Sequence, residues 1–272
     1  MRAAVLPFLL SVALSCSVKE ERAGCPCYLV LDVDGIIAQG EYSEALVTVE
    51  SAGGMVSQEK IRLRDYADGG YVVKVPRRKA FASVVCGTRN GSWHTDTLLV
   101  VENAEADPIR AFALARDCTG LDETTAEVRL HKQYCNVNFT VVGYEPGRTY
   151  PYRLELLADC NALRLFDLGP VDGSYTAEVS ESHSGIFSVR VPRQKQDAGL
   201  RLSFYGNDPE AAPLDTQELL FSLDLAAMMK ARGYDWTKED LDDIYITVDF
   251  ASASFELSVL PWDETGRMDL EI

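Results

Sequence analysis

Apolar and polar residues alternate with a period of two along most of this chain, and that pattern limits the folds open to it. The alternating runs lie at 29–33, 47–49, 61–63, 71–75, 135–141, 152–156, 187–191, 200–204, 244–250 and 255–259. Successive side chains of a strand point to opposite faces, so each run predicts a strand with one buried face. Glycine, asparagine, aspartate and proline separate the runs at short intervals, as is typical of a β-sandwich. The sequence therefore predicts an all-β fold.

Helix signals are few. Apolar residues at 225–229 recur at i, i+3 and i+4, which predicts one short helix with Ser222 as its N-cap and Gly233 as its end. Thr237 and, three residues later, Asp240 predict a capping box for a single helical turn. We therefore expect one short helix in the second half of an otherwise β-rich chain.

A repeat divides the chain into two. The segments VKVPRRK at 73–79 and VRVPRQK at 189–195 share five of seven positions, 116 residues apart. Chance similarity of one surface hairpin is the alternative, but the offset is about one small β domain. We place the boundary near Glu127, which predicts an N-terminal β-sandwich over 28–127 and a C-terminal β-sandwich over 128–272.

The N-terminal stretch has the features of an export signal. Arg2 is the only charged residue before Cys16, and 3–14 is an apolar run that would rise about 18 Å as a helix, too short for a bilayer. The sequence ALSC at 13–16 resembles the lipobox of bacterial lipoproteins, which predicts cleavage between Ser15 and Cys16 and lipidation of Cys16. An ordinary secretory leader cut elsewhere is the alternative. Residues 16–27 would then form a tether.

The charge balance excludes some partners. The formal net charge is -16, so binding to nucleic acid or to anionic lipid, which needs clustered lysine and arginine, is not expected. A covalent diacylglycerol and N-acyl lipid at Cys16 would therefore have to provide the membrane attachment, and it would be sufficient for stable anchoring.

The remaining cysteines indicate disulfides. They are Cys25, Cys27, Cys86, Cys118, Cys135 and Cys160. An exported chain meets an oxidising compartment, although free buried thiols and a metal site are alternatives. The predicted boundary places four cysteines in the first domain and two in the second. Because Cys25 and Cys27 are too close to pair comfortably, two connectivities stay open in the first domain.

One motif resembles an enzyme signature. Asp32-Val33-Asp34 is similar to the first motif of haloacid-dehalogenase-type phosphatases, in which Asp32 would be the nucleophile and Asp34 the acid, and Asp243 could serve as a distal magnesium ligand. That fold needs strands alternating with helices, which residues 38–110 do not offer. The alternative is a first strand that enters a polar hairpin turn, with Gly35 supplying the bend.

No other catalytic or metal-binding set is recognisable. The three histidines, His94, His131 and His183, are far apart, and no nucleophile or phosphate-binding motif occurs. We therefore expect a binding or structural protein without a cofactor or metal, and not an enzyme.

Four stretches together resemble the fimbrial anchor and accessory lipoproteins of Bacteroidetes. They are the lipobox cysteine followed by an acidic run and CPCYLVL at 25–31, the turn at 33–35 with 47–49, the segment 70–76 leading to Gly87, and the ending at 243–248 and 257–262. The resemblance covers essentially the whole chain. It implies two transthyretin-like β-sandwiches in tandem, held by the lipid at the surface of the outer membrane.

The same resemblance implies a function. Proteins of this family anchor, terminate or decorate a pilus whose subunits exchange β-strands, so fimbrial shaft or accessory subunits are the expected partners. The stretch from Phe255 is one candidate for the exchanged strand, and it could equally be an ordinary core strand. A surface lipoprotein that binds a glycan or a host protein is the alternative, with Trp93, Trp236 and Trp262 as candidate contacts, although packing in the core or at its rim is also open for each.

Overall fold

The structure, a computed structural model, describes residues 24–51, 54–89, 92–94, 96–100, 103–142, 152–183, 186–206, 219–249 and 254–261. The predicted leader, the lipidation site Cys16 and Trp262 lie outside these residues. Within them the chain is built of β-strands with two short α-helices and one 3₁₀ turn, which confirms the predicted all-β, sandwich-like class. Neither α-helix, of six and seven residues, is long enough to cross a bilayer.

The first half of the chain contains ten strands and one helix among the described residues. They are β1 (Cys27–Asp32), α1 (Asp34–Gln39), β2 (Glu44–Ser51), β3 (Gly54–Arg62), β4 (Tyr71–Val75), β5 (Lys79–Cys86), β6 (Ser92–His94), β7 (Thr97–Leu99), β8 (Arg110–Asp117), β9 (Glu123–Glu127) and β10 (His131–Lys132), with the 3₁₀ turn at Leu63–Tyr66.

The second half contains eight described strands and the other helix. They are β11 (Tyr134–Val141), β12 (Tyr152–Arg164), β13 (Pro170–His183), β14 (Ile186–Pro192), β15 (Leu200–Gly206), β16 (Leu219–Asp224), α2 (Leu225–Ala231), β17 (Asp243–Asp249) and β18 (Ser254–Leu260).

The N-terminal sandwich packs a three-stranded sheet, in the order β4-β1-β9, on a five-stranded sheet, in the order β10-β8-β5-β2-β3. β1 is antiparallel to β4 and parallel to β9. The inward side chains of the alternating runs meet between the two sheets in one buried cluster. Its fully buried members include Cys27, Leu29, Leu31, Val47, Val49, Ala82, Val84 and Cys118.

The C-terminal sandwich is one continuous sheet in the order β16-β15-β12-β13-β14-β11-β17-β18. The long strand β13 pairs with β12 through its first part and with β14 through its last, so it joins the two layers along one side. The larger core of the molecule lies between these layers. Its fully buried members include Cys135, Val137, Phe139, Leu156, Val191, Leu202, Phe204, Leu225 and Ile244.

The strand pairings repeat between the halves. β11 is antiparallel to β14 and parallel to β17, as β1 is to β4 and β9. β12 pairs with β13 and β15, and β15 with β16, as β2 pairs with β3 and β5, and β5 with β8. The two copies of the repeated sequence lie at equivalent places, where the chain passes from one layer to the other after β4 and after β14. The two halves therefore share one pattern of strand pairing.

Two glycines that flank the first copy of the repeated sequence have backbone conformations in which any side chain would be strained. Gly70 and Gly87 have φ values of 67° and 85°, in the left-handed region. A Cβ at Gly87 would lie 2.2 Å from the Pro108 carbonyl oxygen, and one at Gly70 would lie 2.8 Å from that of Leu31. Both glycines thus allow the chain to pass close to a neighbouring backbone, that of β1 at Gly70 and that of the segment before β8 at Gly87.

Short segments are exchanged across the predicted boundary at residue 127. The hairpin β6–β7 pairs with β12, with Leu98 opposite Leu163, while β10 pairs with β8. A buried apolar cluster joins the two halves there. Its members are Leu46, Val85, Leu98, Ile109, Ala111, Leu163 and Leu165. The halves are therefore two sandwiches with a shared, partly interleaved junction.

Three local predictions were wrong. The polar turn predicted at Gly35 is the helix α1, which begins at Asp34 and ends at Gly40 with a left-handed C-cap. α2 is capped by Asp224, whose carboxylate accepts from the Ala227 N–H at 2.9 Å, and not by Ser222, which lies in β16; Gly233 does follow its end.

The third wrong prediction concerns residues 237–240, which do not form a helical turn. Asp235 accepts both the N–H and the hydroxyl of Thr237, at 2.8 and 2.6 Å, which fixes an Asx turn in place of a capping box. The Asp240 carboxylate instead accepts from the backbone N–H of Lys132 at 2.7 Å.

Candidate functional site

Edge strands are the surfaces through which a β-sandwich can pair with another chain, because their backbone groups are unpaired on one side. In the described sheets the end strands are β4, β9, β3 and β10 in the N-terminal half and β16 and β18 in the C-terminal half. Each sandwich has an open side, where end strands of its two layers face one another. We call the side with β8 and β9 the N-terminal open side and the side with β16 and β18 the C-terminal open side.

β18 forms the last strand of the C-terminal open side. It pairs with β17 over seven residues, from Asp243 opposite Leu260 to Asp249 opposite Ser254. Its side chains alternate: Leu257 is buried, Phe255 and Val259 are half-buried, and the residues between them are exposed. The predicted strand from Phe255 thus exists, and in this structure it completes the sheet of its own chain.

Aromatic contacts close the space between the layers on the same side. The Phe221 ring of β16 stacks on Phe204 at 4.2 Å between centroids, and it lies 6.0 Å from the ring of Phe255 in β18. β18 is therefore held by the backbone ladder to β17 and by a few apolar side chains.

The end of the C-terminal sandwich beside this open side exposes apolar side chains. Val142, Leu219 and Leu220 are 52%, 51% and 46% exposed. Val142 follows the end of β11, and Leu219 and Leu220 begin β16, so all three lie at the end where β18 begins.

The N-terminal open side is closed by different contacts. The Arg116 guanidinium of β8 donates to the Thr124 hydroxyl at 3.0 Å and to the Thr125 carbonyl at 3.2 Å, which joins β8 to β9 across the two layers. β10 pairs with the first residues of β8. Part of each edge on this side is therefore already occupied.

A buried ion pair lies at the junction of the two sandwiches. Lys132 Nζ donates to Asp243 Oδ1 at 2.5 Å, and the two side chains are 4% and 2% exposed. Lys132 also donates to the Leu241 carbonyl at 3.1 Å, and Asp243 accepts from the backbone and side-chain N–H groups of Asn136 at 2.7 and 2.9 Å. Both charges are thus paired and hydrogen-bonded, which is the condition for burying them.

A second polar set fastens the same junction. The buried Arg193 guanidinium donates to the Gln133 side chain at 2.8 Å and to the carbonyls of Trp236 and Glu239 at 2.5 and 2.9 Å. Burial lowers the pKa of Arg193, but these three acceptors stabilise the charged form. Sequence patterns did not indicate these roles: Lys132 lies in no motif, and Arg193 belongs to the repeated segment 189–195, which does not reveal its partners. The partner of Lys132 is 111 residues away along the chain.

The carboxylates of the phosphatase alternative do not converge. Asp32 accepts from the Asp34 N–H at 3.0 Å, and Asp34 accepts from the Asp68 N–H at 3.2 Å, so they organise the start of α1. Asp243 lies in the other sandwich, bound to Lys132. The parallel sheet wrapped in helices that this chemistry needs is replaced by two sandwiches, so the phosphatase alternative is wrong. Among the described residues no cluster of metal-ligating side chains occurs.

The cysteines are present as thiols in the structure. Cys25 is exposed, and Cys27, Cys86, Cys118, Cys135 and Cys160 are buried. Burial raises the pKa of Cys86 and Cys135 to about 12 and that of Cys118 to about 11, and it also raises the pKa of Cys160. The neighbouring Cys27 thiol also raises the pKa of Cys118, whereas the Tyr234 side chain lowers that of Cys135 and the Lys195 backbone lowers that of Cys160.

Trp236, one of the three tryptophans named as candidate glycan contacts, is buried. Trp236 is 6% exposed and packs edge-on against Tyr234 at 4.8 Å. A cleft of about 650 Å³ opens beside it, but its amides Gln133, Gln194 and Gln196 already bond to the protein itself. This cleft is therefore a structural seam between the sandwiches. Of the other histidines and tryptophans proposed from sequence, the structure positions His131, whose ring lies 2.9 Å from Asp240.

Comparisons with known proteins identify the fold. No protein-family model matches the sequence, and no curated protein does either. Solved structures match at low identity: a candidate polysaccharide-binding protein from Bacteroides thetaiotaomicron (TM-score 0.57, 13% identity, 86% of this chain and 95% of the other) and a candidate adhesin from Bacteroides ovatus (0.57, 11%, 88% and 93%). The fimbrial anchor protein Mfa2 from Porphyromonas gingivalis matches with a TM-score of 0.55 at 12% identity, over 88% of this chain and 98% of the other. This chain therefore shares its overall fold with these three proteins.

Proposed function

We propose that this protein is a lipid-anchored surface protein of a fimbrial or adhesive assembly, held in the outer membrane through Cys16. It acts by joining fimbrial subunits through exchanged β-strands and not by catalysis. The observation that carries this proposal is the C-terminal open side, where a terminal strand is held by one ladder and few side chains, in a fold shared with a fimbrial anchor protein.

The physical basis is strand addition. A strand that pairs with β17 gains seven residues of backbone pairing, and its alternate apolar side chains fill the space that Phe255, Leu257 and Val259 occupy now. A subunit's strand in that place would reproduce the same contacts. The exposed apolar residues Val142 and Leu219 at the adjoining end extend the area that a partner could cover.

The membrane attachment is tested by changing Cys16. Cys16→Ala should release the protein from membranes, because no charge or apolar span replaces the lipid. Cys25→Ala is the matched control, since it removes an exposed thiol nearby and should leave the protein in the membrane fraction. Membrane retention of the Cys16→Ala protein would contradict the lipid anchor.

Strand exchange is tested by locking β18 in place. Thr247→Cys with Glu256→Cys would link β17 to β18 through two exposed, directly opposed positions. The oxidised variant should fail to join fimbrial subunits, and reduction should restore assembly. Glu44→Cys with Arg62→Cys, an exposed opposed pair in β2 and β3, is the control and should assemble normally. Normal assembly of the locked β18 variant would exclude exchange at this edge.

A further inference from the structure

We propose that Cys27 and Cys118 form a disulfide that fastens the first strand of the N-terminal sandwich to the turn after β8. Both thiols are fully buried in the same core cluster, at the end of the sandwich where β1 begins and β8 ends. The proposal does not depend on a fimbrial role, because it rests on the N-terminal sandwich alone.

Backbone contacts bring the two cysteines together from both sides. The Cys118 N–H donates to the Arg78 carbonyl at 3.2 Å. Arg78 lies three residues after Val75, and Val75 is the strand partner of Cys27. Four residues after Cys118, the Asp122 carbonyl accepts from the Tyr28 N–H at 2.9 Å. The turn that carries Cys118 is thus bonded to the residue next to Cys27. This placement suits a disulfide, which needs Cα atoms less than about 7 Å apart.

The same geometry argues against both of the complete connectivities that the sequence left open. Each of them uses Cys86, paired with either Cys25 or Cys27. Cys86 is the last residue of β5, whose first residue follows Arg78, so it lies about 24 Å along the strand from the end where Cys27 and Cys118 meet. Neither complete connectivity fits. The structure instead assigns one bond, with Cys86 as a buried thiol and Cys25 as an exposed one.

The bond must form as the chain folds. Two thiols lose two protons and two electrons, and the electrons pass by thiol–disulfide exchange to a dithiol oxidoreductase of the export compartment, whose own disulfide becomes two thiols. Exchange needs a thiolate, and in the folded protein burial and the neighbouring Cys27 raise the pKa of Cys118 to about 11. Oxidation is therefore efficient only before the core closes, and the finished bond is shielded from reductants.

The bond would give the sandwich a covalent route for tension. Cys27 is the last residue of the predicted tether, and Cys118 precedes β9, so a force between the tether and the C-terminal sandwich would pass through the sulfur atoms. Residues 28–117, which contain β1 to β8, would then carry no load along the chain. β1 could not be peeled from between β4 and β9 by a pull on the tether.

Mass mapping tests the bond directly. Full-length protein is made with its leader in a Gram-negative host, quenched in acid, alkylated in denaturant without reductant, and digested. The expected result is a peptide pair linked through Cys27 and Cys118, with alkylated Cys86. Cys118→Ser should free Cys27 for alkylation, and Cys86→Ser should leave the linked pair unchanged. Alkylation of both Cys27 and Cys118 in the wild-type protein, or linkage of either to another cysteine, would overturn the proposal.

Force spectroscopy on the mature chain, pulled from its two ends, tests the load path. Extension of the fully unfolded wild-type chain should be shorter than that of Cys118→Ser by roughly 320 Å, the contour length of about 90 residues. A reductant added to the unfolded wild-type chain should remove the difference. Equal extensions without reductant would refute the covalent route.

Discussion

In the N-terminal sandwich, Arg116 of β8 joins the two layers across the open side through its bonds to Thr124 and Thr125, and β10 occupies the first residues of the β8 edge. In the C-terminal sandwich the same side ends in β18, an additional strand with no counterpart among the described strands of the N-terminal half. Conversely, the C-terminal layers are joined on their other side by β13 and β14, whereas β3 and β4 of the N-terminal sandwich meet there through the bond between Ser57 and Tyr71.

The two sandwiches thus share one pattern of strand pairing but differ in how their layers are joined at the edges. The N-terminal half, next to the predicted tether, is fastened by contacts that connect its layers. The C-terminal half ends in a strand whose removal would leave the rest of its sheet intact. The proposed role, connecting a membrane to an assembly, requires this combination of a fastened N-terminal half and a C-terminal edge strand that a partner's strand could replace.

The largest expected effect comes from removing the proposed disulfide. Cys118→Ala should lower the free energy of unfolding of the oxidised protein by roughly 4–5 kcal/mol more than Cys86→Ala does, because the bond closes a loop of about 90 residues. Both changes remove a buried thiol, so the difference isolates the bond. Urea unfolding with and without reductant measures this difference in unfolding free energy. Equal losses for the two variants would show that no disulfide at Cys118 stabilises the N-terminal sandwich.

Breaking the junction should have the next largest effect. Lys132→Met leaves Asp243 buried without its cation and should cost about 3–5 kcal/mol. The exposed pair of Lys195 and Asp172 gives the control, since Lys195→Met should cost less than about 1 kcal/mol. Urea unfolding followed by tryptophan fluorescence suits this test, because Trp236 lies at the junction. A small loss for Lys132→Met would show that the pair does not couple the sandwiches.

Weakening β18 should cost less and act locally. Leu257→Ala should destabilise the C-terminal edge by about 2–3 kcal/mol, because the side chain is buried at the margin of the core. We expect limited proteolysis to cut within 254–261 while the N-terminal sandwich stays resistant. Leu29→Ala, in the central strand β1, should instead destabilise the whole N-terminal sandwich. Unaltered resistance of β18 in Leu257→Ala would indicate that this edge is not separable.

The smallest expected effect concerns the bridge on the N-terminal open side. Arg116→Ala removes two hydrogen bonds between β8 and β9 and should cost about 1 kcal/mol. Arg64→Ala, at a 78% exposed side chain paired with Asp65, should change the midpoint of urea unfolding little. If the two variants unfold alike, Arg116 does not fasten the layers.

Local sequence patterns predicted most of the strands, because alternation reports directly which face of a strand is buried. Leu29 and Leu31 in β1, and Val137 and Phe139 in β11, are fully buried as the alternation requires. The turn predicted at Gly35 failed because glycine also fits a short helix, where its φ need not be positive.

Contacts between distant segments could not be predicted in the same way. Lys132 and Asp243 are separated by 111 residues, and nothing near either of them indicates the other. The pairing of β7 with β12 crosses the boundary that the sequence repeat predicts. The cysteine count predicted disulfides, but only the fold brings Cys27 to Cys118 and places Cys86 at the far end of β5.

Hydrogen exchange followed by mass spectrometry on the intact protein tests the central contrast most directly, since it reads both edges in one molecule. The account predicts that the amides of β18 that bond to β17 exchange well before those of β9 that bond to β1, because β18 opens without unfolding its sandwich. Equal protection of these two sets of amides would contradict a replaceable C-terminal strand.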